Sequence, residues 1–209
     1  VYASAWKQRS IYTVPPAAMR KICEAAAKRS LGVHFHFLEA EWELSYLRDE
    51  LKMSVGEYLE SSGLLDVPYA ILAHCVWLDP EVVGAADFSR ITIAHNPNSN
   101  LKLGSGVMDL TGLAARTGKI ALGTDGAASN NRLDMWGEMR CAALLHKGIQ
   151  KDPTALSARD ALRMATYEGA AGLGFEKNGL LREGWAADLV LVDLDGPHYL
   201  GIDEDNAAL

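Results

Sequence analysis

The feature that most restricts how this chain can fold is an alternation. Four apolar segments, GVHFHFL (32–38), YAILAHCV (69–76), RITIAHN (90–96) and KIALGTDG (119–126), read as strands, and stretches with helical spacing separate them. The strands are apolar at consecutive rather than alternate positions, as strands are when both faces are covered. Strand–helix alternation with short connections gives a parallel sheet layered with helices. Helices are expected over 15–31, where Met19, Ile22, Cys23 and Ala26 form one stripe behind a Pro pair, and over 39–65 with a break near Ser54 to Gly56. Further helices are expected after Asp79-Pro80, near 107–117, over 132–148, and over 157–174, which starts at a Ser cap and stops at glycine. NPNSNLKLGSG (96–106) reads as a loop, and GWAADLVLVDLD (184–195) as a last strand with a different neighbour pattern. No tandem repeat or low-complexity linker interrupts the pattern.

Polar residues fall at a regular place in this pattern. His36, His74, His95 and Asp125 each stand at or near the carboxyl end of successive apolar strands. A βα barrel collects its active site at that end, because the strand ends converge there. A lone histidine after an apolar strand is more often a hydrogen-bonded structural residue, yet four such positions in sequence order point to a site. Asp125 also suits a Thr-Asp-Gly turn. At a barrel mouth its carboxylate would bind a metal with one oxygen and accept a proton from metal-activated water with the other. Alternate residues of a strand share a face, so His34 and His36 are either a metal pair or one ligand and a bystander.

Composition excludes several classes. With 27 acidic against 20 basic residues the net charge is -7, and no basic cluster is present to hold nucleic acid. Three scattered cysteines offer neither a disulfide framework nor a metal clip, so a reducing cytoplasm is expected. No apolar run approaches a membrane span. The opening VYASAWKQRS has no signal-peptide pattern and no methionine, and the chain reads as a fragment of a longer one.

HFLE, AHCVWL, AHNPNSNLKLGSG and LGTDGAASNNRLDMWGEMRCAALL resemble consecutive motifs of the amidohydrolase superfamily. The similarity is to its deaminase and chlorohydrolase branch, the 5-methylthioadenosine/S-adenosylhomocysteine deaminases in particular, and it covers nearly the whole chain. It implies an α/β fold: the C-terminal portion of a (β/α)8 TIM-like barrel, about strands 4 to 8, over residues 1–175, then the start of a small β-sandwich over 176–209. A His-x-His pair belongs to the first strand of such barrels, so HFH is not that pair. His36 matches the fifth-strand ligand, Glu39 the proton-shuttling glutamate and His74 the sixth-strand histidine. The family often has a substrate-contacting histidine just before the segment resembling YTVPP; Gln8, Arg9 and Ser10 stand there instead.

The resemblance therefore implies one divalent metal ion, zinc or else iron, held by His36 and Asp125. Glu39, His74 and Asp125 are the catalytic and substrate-contacting groups, and His95 is a further substrate contact with a weaker claim. A zinc-ligand role for His74 is the competing reading. The implied reaction is hydrolytic deamination of an aminated purine nucleoside, with triazine or guanine aminohydrolysis and dechlorination as alternatives. The expected partner is a small heterocyclic amine, with neither nucleic acid nor membrane, and the parent protein is compatible with a homo-oligomer. A non-catalytic scaffold of the same fold is the alternative from another class; it would lack the metal and proton-transfer residues that are present here. Asn96, Ser99 and Asn100 suit local backbone bonding, Ser129 and Asn130 suit support of Asp125, and Trp77 and Trp136 suit core packing. His146 and His198 carry no expected role, and Cys75 is expected to face away from His74 into packing.

Overall fold

The computed structural model describes residues 5–194, with side-chain surroundings from Ser10 onward. Five strands form one parallel sheet in chain order: β1 (Ala5–Ser10), β2 (Gly32–Phe37), β3 (Ala70–His74), β4 (Ile91–His95) and β5 (Ile120–Leu122). β1 is an addition to the four strands read from the apolar pattern. Its sequence AWKQRS has no apolar run, and its place at one end of the strand order shows why pairing, not pattern, defines it.

The helices are α1 (Pro16–Ala27), α2 (Trp42–Ser45) running into a π-helical turn (Tyr46–Glu50), and α3 (Val55–Ser62). Then come α4 (Pro80–Ala85), α5 (Pro97–Leu103), α6 (Leu110–Thr117) and α7 (Ala127–Asn130). α8 (Met135–Gln150), α9 (Ala158–Ala165) and α10 (Tyr167–Gly172) complete the described elements. α1 buries Met19, Cys23 and Ala26 of the expected stripe. The break near Ser54 is a capping box: the Glu57 backbone N–H donates to Ser54 Oγ at 3.2 Å, and the Ser54 N–H donates to Glu57 Oε2 at 2.7 Å.

Two expectations are corrected here. The stretch after His95 is not all loop: Pro97 takes the first helical turn, where its missing N–H costs nothing, and Gly104 closes α5 in a left-handed conformation. The single helix expected over 157–174 is split at Thr166, whose φ of -121° and ψ of -85° leave the helical region. Its hydroxyl donates back to the Leu162 carbonyl at 2.7 Å, a local bond that competes with helix continuation. α10 then lies so close to β4 that a Cβ on Gly172 would sit 2.7 Å from Thr92 Cγ2.

The register separates the two faces of the sheet. Phe35 pairs with Leu72, Leu72 with Ile93, and Ile93 with Ile120, so these residues share a face. That face meets the helices: the Phe35 and Phe37 rings lie 6.5 and 5.9 Å from Tyr58 of α3, all fully buried. His36, Ala73, Ala94 and Ala121 form the opposite face by the same register.

The strand expected at 184–195 is not formed in its described part. Val190 and Leu191 stand 81% and 96% exposed there, and among the described residues no neighbour supplies the ladder a strand needs. Residues 195–209, which hold His198 and the rest of the expected sandwich segment, lie outside the described residues. Trp136 is 60% exposed rather than packed in the core, whereas Trp77 is half-buried and its indole N–H donates to the Ser105 carbonyl at 2.8 Å. Among the described residues no helix is long and apolar enough to cross a membrane.

Candidate metal and proton-transfer site

The sheet delivers its polar residues at one end, where β2, β3 and β5 run out. His36 is the last but one residue of β2. His74 ends β3, where strict alternation would send it to the helix-facing side with Leu72. Its backbone breaks the alternation with a φ of 75°, and its Nε2 comes 3.2 Å from His36 Nδ1. Asp125 leaves β5 in the same left-handed region, φ 57°. Such backbone is rare outside glycine and persists only where surrounding contacts hold it. One ligand atom from each of His36, His74 and Asp125 lies within 4.8 Å of the others.

Neighbouring side chains fix these groups. Asn100 Oδ1 lies 2.8 Å from His74 Nδ1; with the proton on Nδ1 donated to that oxygen, Nε2 presents its lone pair to the site. Glu39 follows β2, and its Oε2 lies 3.6 Å from His74 Nε2, while Ser105 Oγ donates to its Oε1 at 3.4 Å. The Ser99 and Ser129 hydroxyls donate to Asp125 Oδ2 at 2.7 and 2.6 Å. Burial pushes the Asp125 carboxyl up, but those two bonds, the Gly126 backbone and nearby His74 outweigh it and hold it below the usual carboxylate range. Gly123 leaves room for Asn96, since a Cβ there would meet Asn96 Oδ1 and displace that buried side chain.

Two imidazole nitrogens and a carboxylate oxygen are the donor set of a zinc-type site, and the Nε2 lone pair of His74 faces the cluster, so these residues fit a divalent metal. His34 shares a strand face with His36, their rings 6.2 Å apart, but it does not belong to the cluster. Cys75 is fully buried, as expected.

His95 is placed elsewhere. Register puts it with Ile93 and Leu122 on the helix-facing side, fully buried, with its Nε2 3.0 Å from His146 Nε2 on α8. Burial, then His146 and His74, push the His95 imidazole down to about 3; burial likewise lowers His146. Ser10 closes β1 in a local turn, its N–H donating to Thr13 Oγ1 at 3.0 Å.

Two supporting residues escaped sequence reasoning. Glu43, 2% exposed, accepts at Oε1 from the backbone N–H groups of Glu39 (3.0 Å) and Ala40 (3.1 Å), fixing the turn that carries Glu39. Burial pushes its carboxyl up to about 7. Glu138 is 1% exposed and bonds to both the α5 and the α7 segments. Together with His146 it was detectable, because Glu138, Ala142 and His146 recur every four residues on the buried stripe of α8, where apolar residues are the norm.

A family profile described as the amidohydrolase family matches residues 1–209. The 5-methylthioadenosine/S-adenosylhomocysteine deaminase of Dictyoglomus thermophilum is 44% identical over 188 residues, 90% of this chain and 44% of that protein. The 5'-deoxyadenosine deaminase of Methanothermobacter thermautotrophicus is 41% identical over 189 residues, again 90% of this chain and 44% of that protein. Among solved structures, a zinc-bound adenosine deaminase from Xanthomonas campestris superimposes with a TM-score of 0.87 at 34% identity, covering 95% of this chain and 45% of that one. The zinc complex of atrazine chlorohydrolase from Arthrobacter aurescens gives 0.83 at 30% identity, covering 91% and 42%. The chain thus spans less than half the length of the relatives it matches.

Proposed function

Because this chain belongs to the amidohydrolase family, we propose that the protein carrying it removes an amino group hydrolytically from a purine nucleoside of the adenosine, methylthioadenosine or S-adenosylhomocysteine type. One observation carries the reading: His36, His74 and Asp125 converge within 4.8 Å at one end of a parallel sheet, with the Glu39 carboxylate 3.6 Å from His74. The five strands are then about strands 4 to 8 of an eight-stranded barrel, and residues from 176 onward open the β-sandwich segment.

His36 and Asp125 hold the metal. When bound, a divalent ion, zinc or else iron, brings the pKa of a coordinated water toward neutrality. Asp125, kept ionised by Ser99 and Ser129, takes the proton at its carboxylate. Glu39 moves a proton to the ring nitrogen and then to the departing ammonia, its carboxylate turned toward His74 by the Glu43-braced turn. His74, its tautomer set by Asn100, orients the attacking water through Nε2. The competing role for His74, a third metal ligand, is supported by its inclusion in the same 4.8 Å cluster. His95 pairs with His146 on the helix-facing side and has no step in this scheme.

The nucleoside is preferred to a chlorotriazine because identity is 41–44% to the nucleoside deaminases and 30% to the chlorohydrolase. The test uses the full-length protein, stripped with a chelator and reloaded with zinc or iron. Ammonia release from adenosine, methylthioadenosine and S-adenosylhomocysteine should vanish on stripping and return on reloading. Chloride release from a chlorotriazine with no ammonia from any nucleoside would replace the reading with the dechlorinating one.

A further inference from the structure

We propose that Glu138 is a positioning residue that locks the exits of β4 and β5 to each other, so that Asp125 and His74 are held at a fixed separation. The proposal rests on the metal-dependent deaminase reading of the same site. Glu138 itself is not a member of the metal cluster. Its Oε1 accepts from Asn130 Nδ2 at 2.5 Å, and its Oε2 accepts from the Asn98 backbone N–H at 3.3 Å.

Each of those two partners leads directly to the site. Asn130 Nδ2 also donates to the Thr124 carbonyl at 2.6 Å, gripping the turn one residue before Asp125. Asn98 lies in α5 beside Ser99, which bonds Asp125 Oδ2, and between Asn96 and Asn100, which lie 3.4 and 2.8 Å from His74 Nδ1. α5 therefore touches both His74 and Asp125, and Glu138 ties α5 to the Asp125 turn through one rigid carboxylate. The left-handed backbone at Asp125 needs such bracing from outside the turn.

A simpler account is that Glu138 sits in the first turn of α8, where the helix dipole favours an acid. An exposed glutamate would serve that purpose equally. Glu138 is 1% exposed, and its hydrogen-bond donors come from the α5 and α7 segments rather than from its own helix. A buried carboxylate is costly unless its oxygens are satisfied, and here both are.

Glu138→Gln tests this with little change of volume. The amide keeps one acceptor but turns the other oxygen into a donor facing an N–H, so one of the two ties is lost. Asn130→Ala cuts the tie to the Thr124 carbonyl from the other side. In the full-length, metal-loaded protein we expect each variant to release metal to a chelator about 10- to 100-fold faster and to lose kcat by about the same factor. KM should stay within roughly threefold, and the double variant should lose little more than either single one, because both act on one network. Metal retention and kcat within about twofold of the parent, multiplying losses, or losses that disappear on cooling below the variant's lowered Tm would each overturn the proposal. If the parent holds metal but releases no ammonia, the deaminase reading fails while chelator release still decides the role of Glu138. A parent that holds no divalent ion overturns both.

Discussion

Two histidine pairs in this molecule have nearly the same geometry and opposite surroundings. His36 and His74 approach at 3.2 Å between ring nitrogens, with ring centres 4.8 Å apart and planes tilted by 58°. His95 and His146 approach at 3.0 Å, with centres 5.1 Å apart and a tilt of 54°. The first pair has the carboxylates of Glu39 and Asp125 beside it. The second lies between β4 and α8, both rings buried, and burial suppresses its protonation. Contact between imidazoles therefore does not define a site; the anions around it and the face it occupies do.

The largest effect that would break this comparison falls on the first pair's carboxylate. Asp125→Asn in the full-length protein should lower kcat by about 10²- to 10⁴-fold, the usual worth of a positioned acid or base, and weaken metal retention. Near-parental turnover would remove the distinction between the pairs. The second pair should show itself in acid stability instead. The His95 imidazole titrates below its unfolded value near 6.5, so its stability is present above that pH and is lost as pH falls toward about 3. In denaturant unfolding between pH 7 and 4 the parent should therefore lose stability, as the pH falls, relative to the double variant His95→Leu, His146→Leu. The relative loss is about 3 kcal/mol over that window.

Glu43, behind the first pair, should behave with the opposite sign. Its folded-state carboxyl is raised from 4.5 to about 7, so the stability it contributes is present below pH 4.5 and is lost as pH rises through 7. Glu43→Gln should abolish that decline, gaining about 3 kcal/mol on the parent above pH 7 in an unfolding series extended past that pH. An unchanged pH slope would mean that Glu43 is ionised in the fold. The smallest effect belongs to the stretch after α10, where Leu191→Ser, at a side chain 96% exposed, should move the stability of this 209-residue chain by less than about 0.5 kcal/mol.

What was legible in the sequence follows from range. β2 to β5 announce themselves, because a strand covered on both faces must be apolar throughout. β1 does not, since Lys7 and Gln8 join a strand only through pairing with β2. The gathering of His36, His74 and Asp125 was readable from their common position at strand ends together with the family's motifs. That His95 turns away follows from parity at a strand end, where one residue reverses the face and where His74 escapes the same rule only through its left-handed φ. Glu138 stands out on the buried stripe of α8, but its partner Asn98 was hidden, since it lies 40 residues away and no local pattern encodes that meeting. α5 was masked by Asn, Pro and Ser, which suit a loop and a capped helix start equally well.

The left-handed backbone at Asp125 has a consequence for anyone evolving or redesigning this protein. Glycine and asparagine adopt this conformation as aspartate does, so the backbone itself does not require the acid. A screen for folded, heat-tolerant protein alone would let Asn or Gly pass at this position and return hardy, inert variants. Durability does not report on turnover at that residue, so a screen on this scaffold must reward both at once.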